Sequence, residues 1–217
     1  MNVVIFGNRD MSQLAHYYLT NDSDHKVVAF CLDGAYIEED KFCGLPVVPF
    51  EEIENSHPKD NHEFFAPLYA SEMNKLRFNV CNKIKKKGYQ FITYIHSSAT
   101  VSNAKIGKNC FIFENVNIQP FCEIGDNNII WSLTHVGHHG KIGNNVFISS
   151  NCNIAGHINI GDFCFIGSSS TIRDSISISP NTLVGQSASV VKSIDTEGGV
   201  YMGIPAKRIK EIKEVKI

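Results

Sequence analysis

Residues 105–194 read, in blocks of six, KIGKNC, FIFENV, NIQPFC, EIGDNN, IIWSLT, HVGHHG, KIGNNV, FISSNC, NIAGHI, NIGDFC, FIGSSS, TIRDSI, SISPNT, LVGQSA and SVVKSI. Every block carries Ile or Val in its second place. An α-helix repeats about every 3.6 residues and a flat strand every two, so neither produces this spacing. A fixed period of six predicts a parallel β-helix, in which three blocks close one triangular coil. The inward Ile and Val side chains bury their surface only as a stack of coils.

The other places in the block agree with this interpretation. Gly often follows the apolar residue, and Asn or Asp fills the corner places, where a left-handed backbone is needed. The sixth place takes small or apolar residues, among them Cys110, Cys122, Cys152 and Cys164. Seven cysteines without a CxxC pair predict reduced thiols, and the four at the sixth place are expected to fill the core.

The residues before the repeat predict a second, smaller domain. Apolar runs alternate with helical patterns, which favours a Rossmann-like α/β domain with a small parallel sheet. The predicted strands are 2–6, 27–31, 45–48, 63–68 and 91–94, and the predicted helices are 11–19 and about 71–87. On the second helix, Met73, Leu76, Val80 and Ile84 form the predicted apolar face. The expected domains are 1–95, 96–194 and a tail at 195–217.

The first turn of this domain is a candidate binding edge. In a parallel sheet, ligands bind beyond the carboxyl ends of the strands, where Gly7, Asn8, Arg9, Asp10 and Asp33 fall. One Gly is too few for a dinucleotide fingerprint, so the turn does not predict NAD binding. A helix N-terminus with Arg9 suits a phosphate. Asp33 suits a ribose or a base N–H, or it is simply a helix cap or turn residue.

Composition excludes several classes of protein. The net charge of −2 lacks the basic surplus of a nucleic-acid-binding protein. The N-terminus does not resemble a signal peptide, and no apolar stretch reaches the 18 to 20 or so residues of a membrane span. We therefore expect a cytoplasmic protein.

Four histidines fall close together in the predicted coils. His135, His138 and His139 share one block, and His157 lies one coil away. Because residues 18 apart stack at about 4.8 Å, Gly156 should lie over His138 and His157 over His139. An imidazole beside a bare backbone N–H suits acyl transfer, since it pairs a base with an oxyanion donor. Surface histidines without function, and a zinc site like that of the β-helix carbonic anhydrases, are the alternatives.

The chain after Ile194 leaves the repeat. The stretch 198–207 reads GGVYMGIPAK, in which Gly and Pro predict a turn over the end of the prism. Ile209, Ile212 and Val215 then lie at helical spacing, so a C-terminal capping helix is expected. Lys207 and Arg208 are candidates for phosphate contacts.

Taken together, the array of sixes, the block around His138 and the Gly-Ile-Pro-Ala-Lys tail resemble the left-handed β-helix, or hexapeptide-repeat, acyltransferases. With the N-terminal domain, the resemblance is to the sugar enzymes of the sialic acid O-acetyltransferase and bacillosamine N-acetyltransferase type. It implies a homotrimer that transfers an acetyl group from acetyl-CoA to a nucleotide-linked amino sugar, as in lipopolysaccharide or other surface glycan biosynthesis. Metal is not implied.

The resemblance also implies roles for individual residues. His138 is the expected base, and the Gly156 amide is expected to face the thioester carbonyl. The substrate-binding set is Gly7, Asn8, Arg9, Asp10, Asp33, His135 and His139. The cofactor-binding set is Gly156, His157, Gly167, Gly185, Gly203, Pro205 and Lys207.

The chain departs from the family pattern at two points. His139 stands where the family often has Glu, which leaves Glu114 as the candidate for orienting the base. The first turn lacks the usual glycines. Sugar O-acetylation by the same residues, and a non-catalytic trimer that binds nucleotide sugars, are the alternative functions.

Overall fold

A five-stranded sheet forms the first domain of the computed structural model, which describes residues 2–214. Its order is β3-β4-β2-β1-β5; β3 is antiparallel to β4, and all other pairs are parallel. The strands are β1 (Asn2–Phe6), β2 (Lys26–Leu32), β3 (Lys41–Phe42), β4 (Leu45–Pro49) and β5 (His62–Phe65). The helices are α1 (Asp10–Asn21), α2 (Ile53–Ser56) and α3 (Lys75–Lys86), with short 3₁₀ turns at Gly34–Tyr36, Phe50–Glu52 and Ile212–Glu214.

Helix α3 begins later than its apolar pattern predicts. Glu72, Met73 and Asn74 have positive φ angles, which the helix cannot include. Its buried face is formed by Arg77, Val80, Cys81 and Ile84, whereas Leu76, expected on that face, is 43% exposed. Val80 and Ile84 are buried as expected, and Arg77 takes the place on this face that the pattern had given to Leu76.

The blocks of six form the predicted β-helix as a prism of two-residue strands. The strands are β6 (Tyr94–Ile95), β7 (Thr100–Val101), β8 (Lys105–Ile106), β9 (Phe111–Ile112), β10 (Asn117–Ile118), β11 (Glu123–Ile124), β12 (Ile129–Ile130), β13 (His135–Val136), β14 (Lys141–Ile142), β15 (Phe147–Ile148), β16 (Asn153–Ile154), β17 (Asn159–Ile160), β18 (Phe165–Ile166), β19 (Thr171–Ile172), β20 (Ser177–Ile178), β21 (Leu183–Val184) and β22 (Ser189–Val190), followed by β23 (Gly199–Met202) and β24 (Lys207–Glu211). Strands three apart pair in parallel, as His135 pairs with Asn153, which confirms the offset of 18 residues.

The three sheets of the prism differ in what they present outward. The eight-stranded sheet presents apolar residues such as Phe111, Ile129 and Phe147, which are buried in one core with the first domain. We call it the domain face. The five-stranded sheet presents Lys105, Glu123, Lys141, Asn159 and Ser177, and the six-stranded sheet presents Thr100, Asn117, His135, Asn153, Thr171 and Ser189. We call these the charged face and the neutral face.

The expected fifth strand at 91–94 belongs mainly to the prism. Phe91 makes a single parallel bridge to Phe64 of β5, whereas Tyr94 and Ile95 form β6 and pair with β9. The chain therefore enters the β-helix directly after the first domain. The reason is that β9 offers unpaired backbone groups at the end of the domain face, and β6 satisfies them.

The prediction of a C-terminal helix from Lys207 onward is wrong. Lys207–Glu211 is strand β24, which pairs antiparallel with β23, and β23 pairs in parallel with β21. The edge strand β21 has unpaired backbone N–H and C=O groups, and β23 pairs with them while β24 pairs with β23. This pairing favours strand over helix in the tail. Val215, the last residue of the expected helix face, lies outside the described residues.

The cysteines of the repeat fill the prism core as expected. Cys110, Cys122, Cys152 and Cys164 are buried among the stacked Ile and Val side chains. Burial raises the pKa of Cys110 and of Cys164 to about 12, so both thiols stay protonated. Among the described residues, no helix combines the length and the hydrophobicity that crossing a bilayer requires.

Candidate active site

His138 lies at the corner where the neutral face turns into the charged face, and its ring packs against Gly156. A methyl group built on Gly156 would lie 3.0 Å from Cε1 and 3.1 Å from Nε2 of His138. The two residues are also tied through the backbone, since the N–H of His157 donates to the carbonyl oxygen of His138 at 2.9 Å. The contact that the 18-residue offset predicts is therefore present.

At some corners, the backbone N–H at this place in the block is covered by a side-chain oxygen from a neighbouring coil. The amide of Asp126 donates to Oδ1 of Asn144 at 2.8 Å, and the amide of Asn144 donates to Oδ1 of Asp162 at 2.6 Å. At the histidine corner, the amide of His138 donates to Oε1 of Gln119 at 3.0 Å. The acceptor oxygen thus belongs either to the residue 18 positions later in the sequence or to the residue 19 positions earlier.

Both of these sources of an acceptor fail at Gly156. The residue 19 positions back is Gly137, which has no side chain, and a Cβ there would lie 2.5 Å from the Gly156 nitrogen. The residue one coil on is Asp174, whose carboxylate pairs instead with Arg173 at 3.9 Å. Within residues 2–214, no acceptor takes a hydrogen bond from the Gly156 N–H. The site therefore holds an imidazole next to a free amide.

Three histidine rings meet at this corner. Nδ1 of His138 lies 3.1 Å from Nδ1 of His139, with the rings nearly perpendicular at 89°. The ring of His157 stacks on His139 at 4.9 Å and 14°, and meets His138 edge-on at 5.0 Å. Phe121 lies on the other side of His139 at 4.8 Å. All three histidines are exposed, so substrates have access to them.

The ring orientations do not favour the alternative of a shared metal. Nitrogen atoms of His138, His139 and His157 lie within 4.8 Å of one another. The lone pairs of an imidazole lie in the ring plane, so those of two stacked, nearly parallel rings do not converge on one point. The cluster instead has the geometry of ring packing and of one N–H···N hydrogen bond.

His135 and Glu114 lie apart from this cluster. His135 is a half-buried residue of the neutral face, and no ring or hydrogen-bond contact joins it to the other three histidines within the described chain. Glu114 lies at a different corner, where both carboxylate oxygens accept the Tyr18 hydroxyl at 3.1 Å. Burial and this carboxylate raise the pKa of Tyr18 to about 12. Within one chain, Glu114 therefore does not orient His138.

The residues of the predicted binding edge lie at the carboxyl ends of β1 and β2. Gly7 follows β1 with φ at +107°, and a Cβ there would lie 2.7 Å from Oγ of Ser12 at the start of α1. Asn8 and Arg9 line a cavity of about 180 Å³ together with Glu38, Glu39, Lys41 and Phe42. Asp10 occupies the first turn of α1, where its charge offsets the helix dipole that a phosphate would use.

Asp33 is already engaged in the structure. It lies at the end of β2, as predicted, but its Oδ2 pairs with Nζ of Lys83 on α3 at 2.9 Å. Its carbonyl accepts the N–H of Tyr36, which closes the 3₁₀ turn. A ligand that used Asp33 would have to share it with Lys83.

The expected cofactor residues are divided between two corners. Gly156 and His157 lie with His138, whereas Gly167 and Gly185 stack at the corner between the domain face and the neutral face. The turn of Gly203, Pro205 and Lys207 continues that second corner, because the N–H of Ser189 donates to the Gly203 carbonyl at 3.0 Å. Within one chain, the residues near His138 and the residues near Gly167 therefore lie at different corners of the prism.

Arg77 is the main interdomain residue that sequence reasoning missed. It is fully buried, and its guanidinium donates to the carbonyls of Asn127 and Leu68 and to Oδ1 of Asn74 at 2.8–3.0 Å. Burial lowers its pKa to about 10, so it remains charged at neutral pH. It thereby ties the first domain to the corner of the prism between β11 and β12. The sequence could have shown its burial, because Arg77 lies on the apolar side of α3 with Val80 and Ile84.

Comparisons with known proteins agree with this architecture. Residues 103–138 and 139–174 match the family model described as bacterial transferase hexapeptide (six repeats). A search of curated protein sequences found no match. Residues 103–174 thus resemble the hexapeptide repeats of bacterial transferases.

Solved structures extend the likeness to the whole chain. PerB from Caulobacter crescentus, crystallised with CoA and GDP-perosamine, has a TM-score of 0.83 at 23% identity over 97% of this chain and 98% of that chain. The acetyltransferase domain of PglB from Neisseria gonorrhoeae FA1090 has a TM-score of 0.82 at 20% identity, over 96% and 99%. WeeI from Acinetobacter baumannii AYE has a TM-score of 0.82 at 20% identity, over 96% and 100%. The protein therefore has the same two-part fold as these proteins.

Proposed function

We propose that the protein transfers the acetyl group of acetyl-CoA to the amino group of a nucleotide-linked amino sugar. The observation that carries the proposal is the free N–H of Gly156 beside the ring of His138. Acyl transfer needs a group that accepts a proton from the nucleophile and a donor that stabilises the oxyanion. The similar fold of PerB, whose crystals contain CoA and GDP-perosamine, supports the choice of substrates.

In the proposed reaction, the sugar amine attacks the thioester carbonyl carbon and a C–N bond forms. The carbonyl electron pair moves onto oxygen, and the Gly156 N–H donates to that oxyanion. Nε2 of His138 takes the proton from the nitrogen. When the tetrahedral intermediate collapses, the C–S bond breaks and the imidazolium returns the proton to the thiolate of CoA. Bringing two large substrates together supplies much of the remaining rate.

The nucleotide sugar occupies the edge of the first domain in this proposal. Arg9 and Lys41 line its cavity and can donate to a diphosphate, Glu38 and Glu39 balance their charge, and Asn8 supplies polar atoms for the nucleoside. We assign the reaction to the cytoplasm, where acetyl-CoA and nucleotide sugars are made, and to the synthesis of lipopolysaccharide or a similar surface glycan.

The division of the site supports a homotrimer as the proposed assembly. The first domain packs on the domain face, and His138 lies at the opposite corner of the same prism. A sugar held by a chain's own first domain is therefore across the prism from that chain's His138. A neighbouring chain, packed against the uncharged neutral face, brings its nucleotide cavity and its Gly167 corner to His138.

The test of the reaction is mass spectrometry of UDP-, dTDP- and GDP-linked amino sugars incubated with acetyl-CoA. We expect a gain of one acetyl group on one of them, and a kcat that falls about 10²–10⁴-fold in His138→Asn. Acetylation of a sugar hydroxyl alone would favour the O-acetyltransferase alternative. Binding of nucleotide sugar without binding of acetyl-CoA would favour a non-catalytic protein.

The shared site has its own test. Light scattering should give three times the 24.2 kDa of one chain. Mixed trimers of His138→Asn and Arg9→Ala chains should recover part of the activity, because some sites then combine an intact base with an intact cavity. A monomer with full activity, or no recovery on mixing, would overturn the shared site.

A further inference from the structure

We infer that His139 is a positioning residue for His138, in place of a carboxylate. Its Nδ1 accepts a hydrogen bond from Nδ1–H of His138, so that the free lone pair of His138 lies on Nε2, the nitrogen beside Gly156. The inference rests on the proposed function and deepens it, because it assigns the tautomer that the base must have.

The distance between the two rings shows that His138 and His139 share a hydrogen bond. Nδ1 of His138 and Nδ1 of His139 are 3.1 Å apart, which is hydrogen-bond distance. In a neutral imidazole, one nitrogen donates and the other accepts. One of these two Nδ1 atoms therefore carries a proton, and the other accepts it.

Only one of the two possible donors, His138 or His139, is compatible with the proposed reaction. If His138 donates, its Nε2 is unprotonated and can take a proton, and the resulting imidazolium keeps the same Nδ1–H···Nδ1 bond. If His139 donates, the proton of neutral His138 is on Nε2, and the nitrogen beside Gly156 is blocked. Catalysis therefore selects the arrangement in which His139 accepts.

The surroundings hold His139 in the accepting position. Its ring lies between Phe121 at 4.8 Å and His157 at 4.9 Å, and its backbone N–H donates to the carbonyl of Pro120 at 3.1 Å. These contacts fix the ring from the coil below and the coil above. The acceptor nitrogen is thus pre-organised before substrate binds.

Acidic groups on the adjoining coils have other partners. Glu114 accepts from Tyr18, Asp174 pairs with Arg173, and Glu123 lies 3.8 Å from Nζ of Lys105. Within the described chain, no carboxylate bonds to the rings of His138, His139 or His157. Within one chain, His139 is therefore the group that remains to set the tautomer.

Two substitutions separate positioning from packing. His139→Phe keeps a ring between Phe121 and His157 but removes the acceptor, and the corner accepts Phe, because Phe121 and Phe163 occupy the same place at φ of 67° and 58°. His139→Asn removes the ring but keeps an acceptor oxygen near Nδ1, and Asn tolerates the φ of 57° found here.

We expect kcat of His139→Phe to fall about 10- to 100-fold with both KM values nearly unchanged, and kcat of His139→Asn to stay within about threefold of the natural enzyme. The reverse order, with Phe active and Asn impaired, would show that stacking is what matters and would overturn the inference. Equal losses in both variants would overturn it as well.

A spectroscopic measurement separates this inference from the proposed function. Magic-angle-spinning ¹⁵N spectra of protein labelled at histidine, with the His138 signals assigned from the His138→Asn variant, report the tautomer without any turnover. We expect His138 to carry its proton on Nδ1 in the natural protein and in His139→Asn, and to lose that preference in His139→Phe. An Nε2–H tautomer in the natural protein would overturn the inference even if acetyl transfer is observed. Failure of acetyl transfer alone would instead count against the function.

Discussion

The Cα of Gly156 lies so close to the ring of His138 that an added methyl group would sit 3.0 Å from Cε1 and 3.1 Å from Nε2. Carbon contacts at that distance are tighter than ordinary packing, so the ring would have to move by a few tenths of an ångström. Gly156→Ala should therefore keep the fold and lower kcat about tenfold or more, since small displacements of a catalytic group are costly. Steady-state kinetics and thermal unfolding measure the two effects. Unchanged kcat would show that the ring position is not critical.

Substitution of Arg77 should cause a large loss of stability. Arg77→Met leaves three buried acceptors at the domain junction without a donor, and it should lower the free energy of unfolding by about 3–5 kcal/mol. Urea unfolding at one fixed protein concentration measures the change. Lys86→Ala, an exposed position on the same helix, is the control and should stay within about 0.5 kcal/mol. A change below about 1 kcal/mol for Arg77→Met would contradict the tie between the domains.

Arg9 predicts a selective effect on one substrate. Because Arg9 lines the cavity at the carboxyl end of β1, Arg9→Ala should raise the KM for the nucleotide sugar about tenfold and leave the KM for acetyl-CoA nearly unchanged. Lys26→Ala is the matched control, since Lys26 begins β2 and is therefore at the opposite edge of the sheet. If both KM values rise together, the division into two sites is wrong.

Substitution of Asp33 should also affect the KM for the nucleotide sugar. Its carboxylate is paired with Lys83, so Asp33→Ala and Lys83→Ala should differ if a ligand uses the carboxylate. We expect Asp33→Ala to raise the KM for the nucleotide sugar and Lys83→Ala to leave it near the natural value. Equal behaviour of the two variants would show that Asp33 serves only the ion pair and the turn.

Asp22 predicts a dependence of stability on pH. Its carboxylate accepts hydrogen bonds from Ser97 and Tyr94, which lower its pKa to about 2. A folded-state pKa below the unfolded value of about 3.9 adds stability above that value, and the contribution is lost as the pH falls towards 2. The thermal midpoint of Asp22→Asn should therefore lie below that of the natural protein at pH 7, and the gap should narrow between about pH 4 and pH 2. Asp24→Asn, at an exposed neighbour, is the control; a gap that does not change with pH would contradict the assignment.

The prism and the pairing at its histidine corner could be read from the sequence alone. Each block of six repeats the same local requirement, an inward Ile or Val and a corner residue that tolerates positive φ, so the period determines the coil. Once the coil is fixed at 18 residues, the position of Gly156 over His138 follows by counting. No contact between distant and dissimilar segments is needed for either conclusion.

Tertiary structure alone decided which partners the polar groups take. Lys83 reaches Asp33, Tyr18 reaches Glu114, and within residues 2–214 the Gly156 amide has no acceptor. The tail became a strand, although its spacing suited a helix, because β21 offered an open edge. A repeat specifies backbone geometry from within each block, whereas the choice among possible hydrogen-bond partners depends on which of them packing brings within about 3 Å of one another.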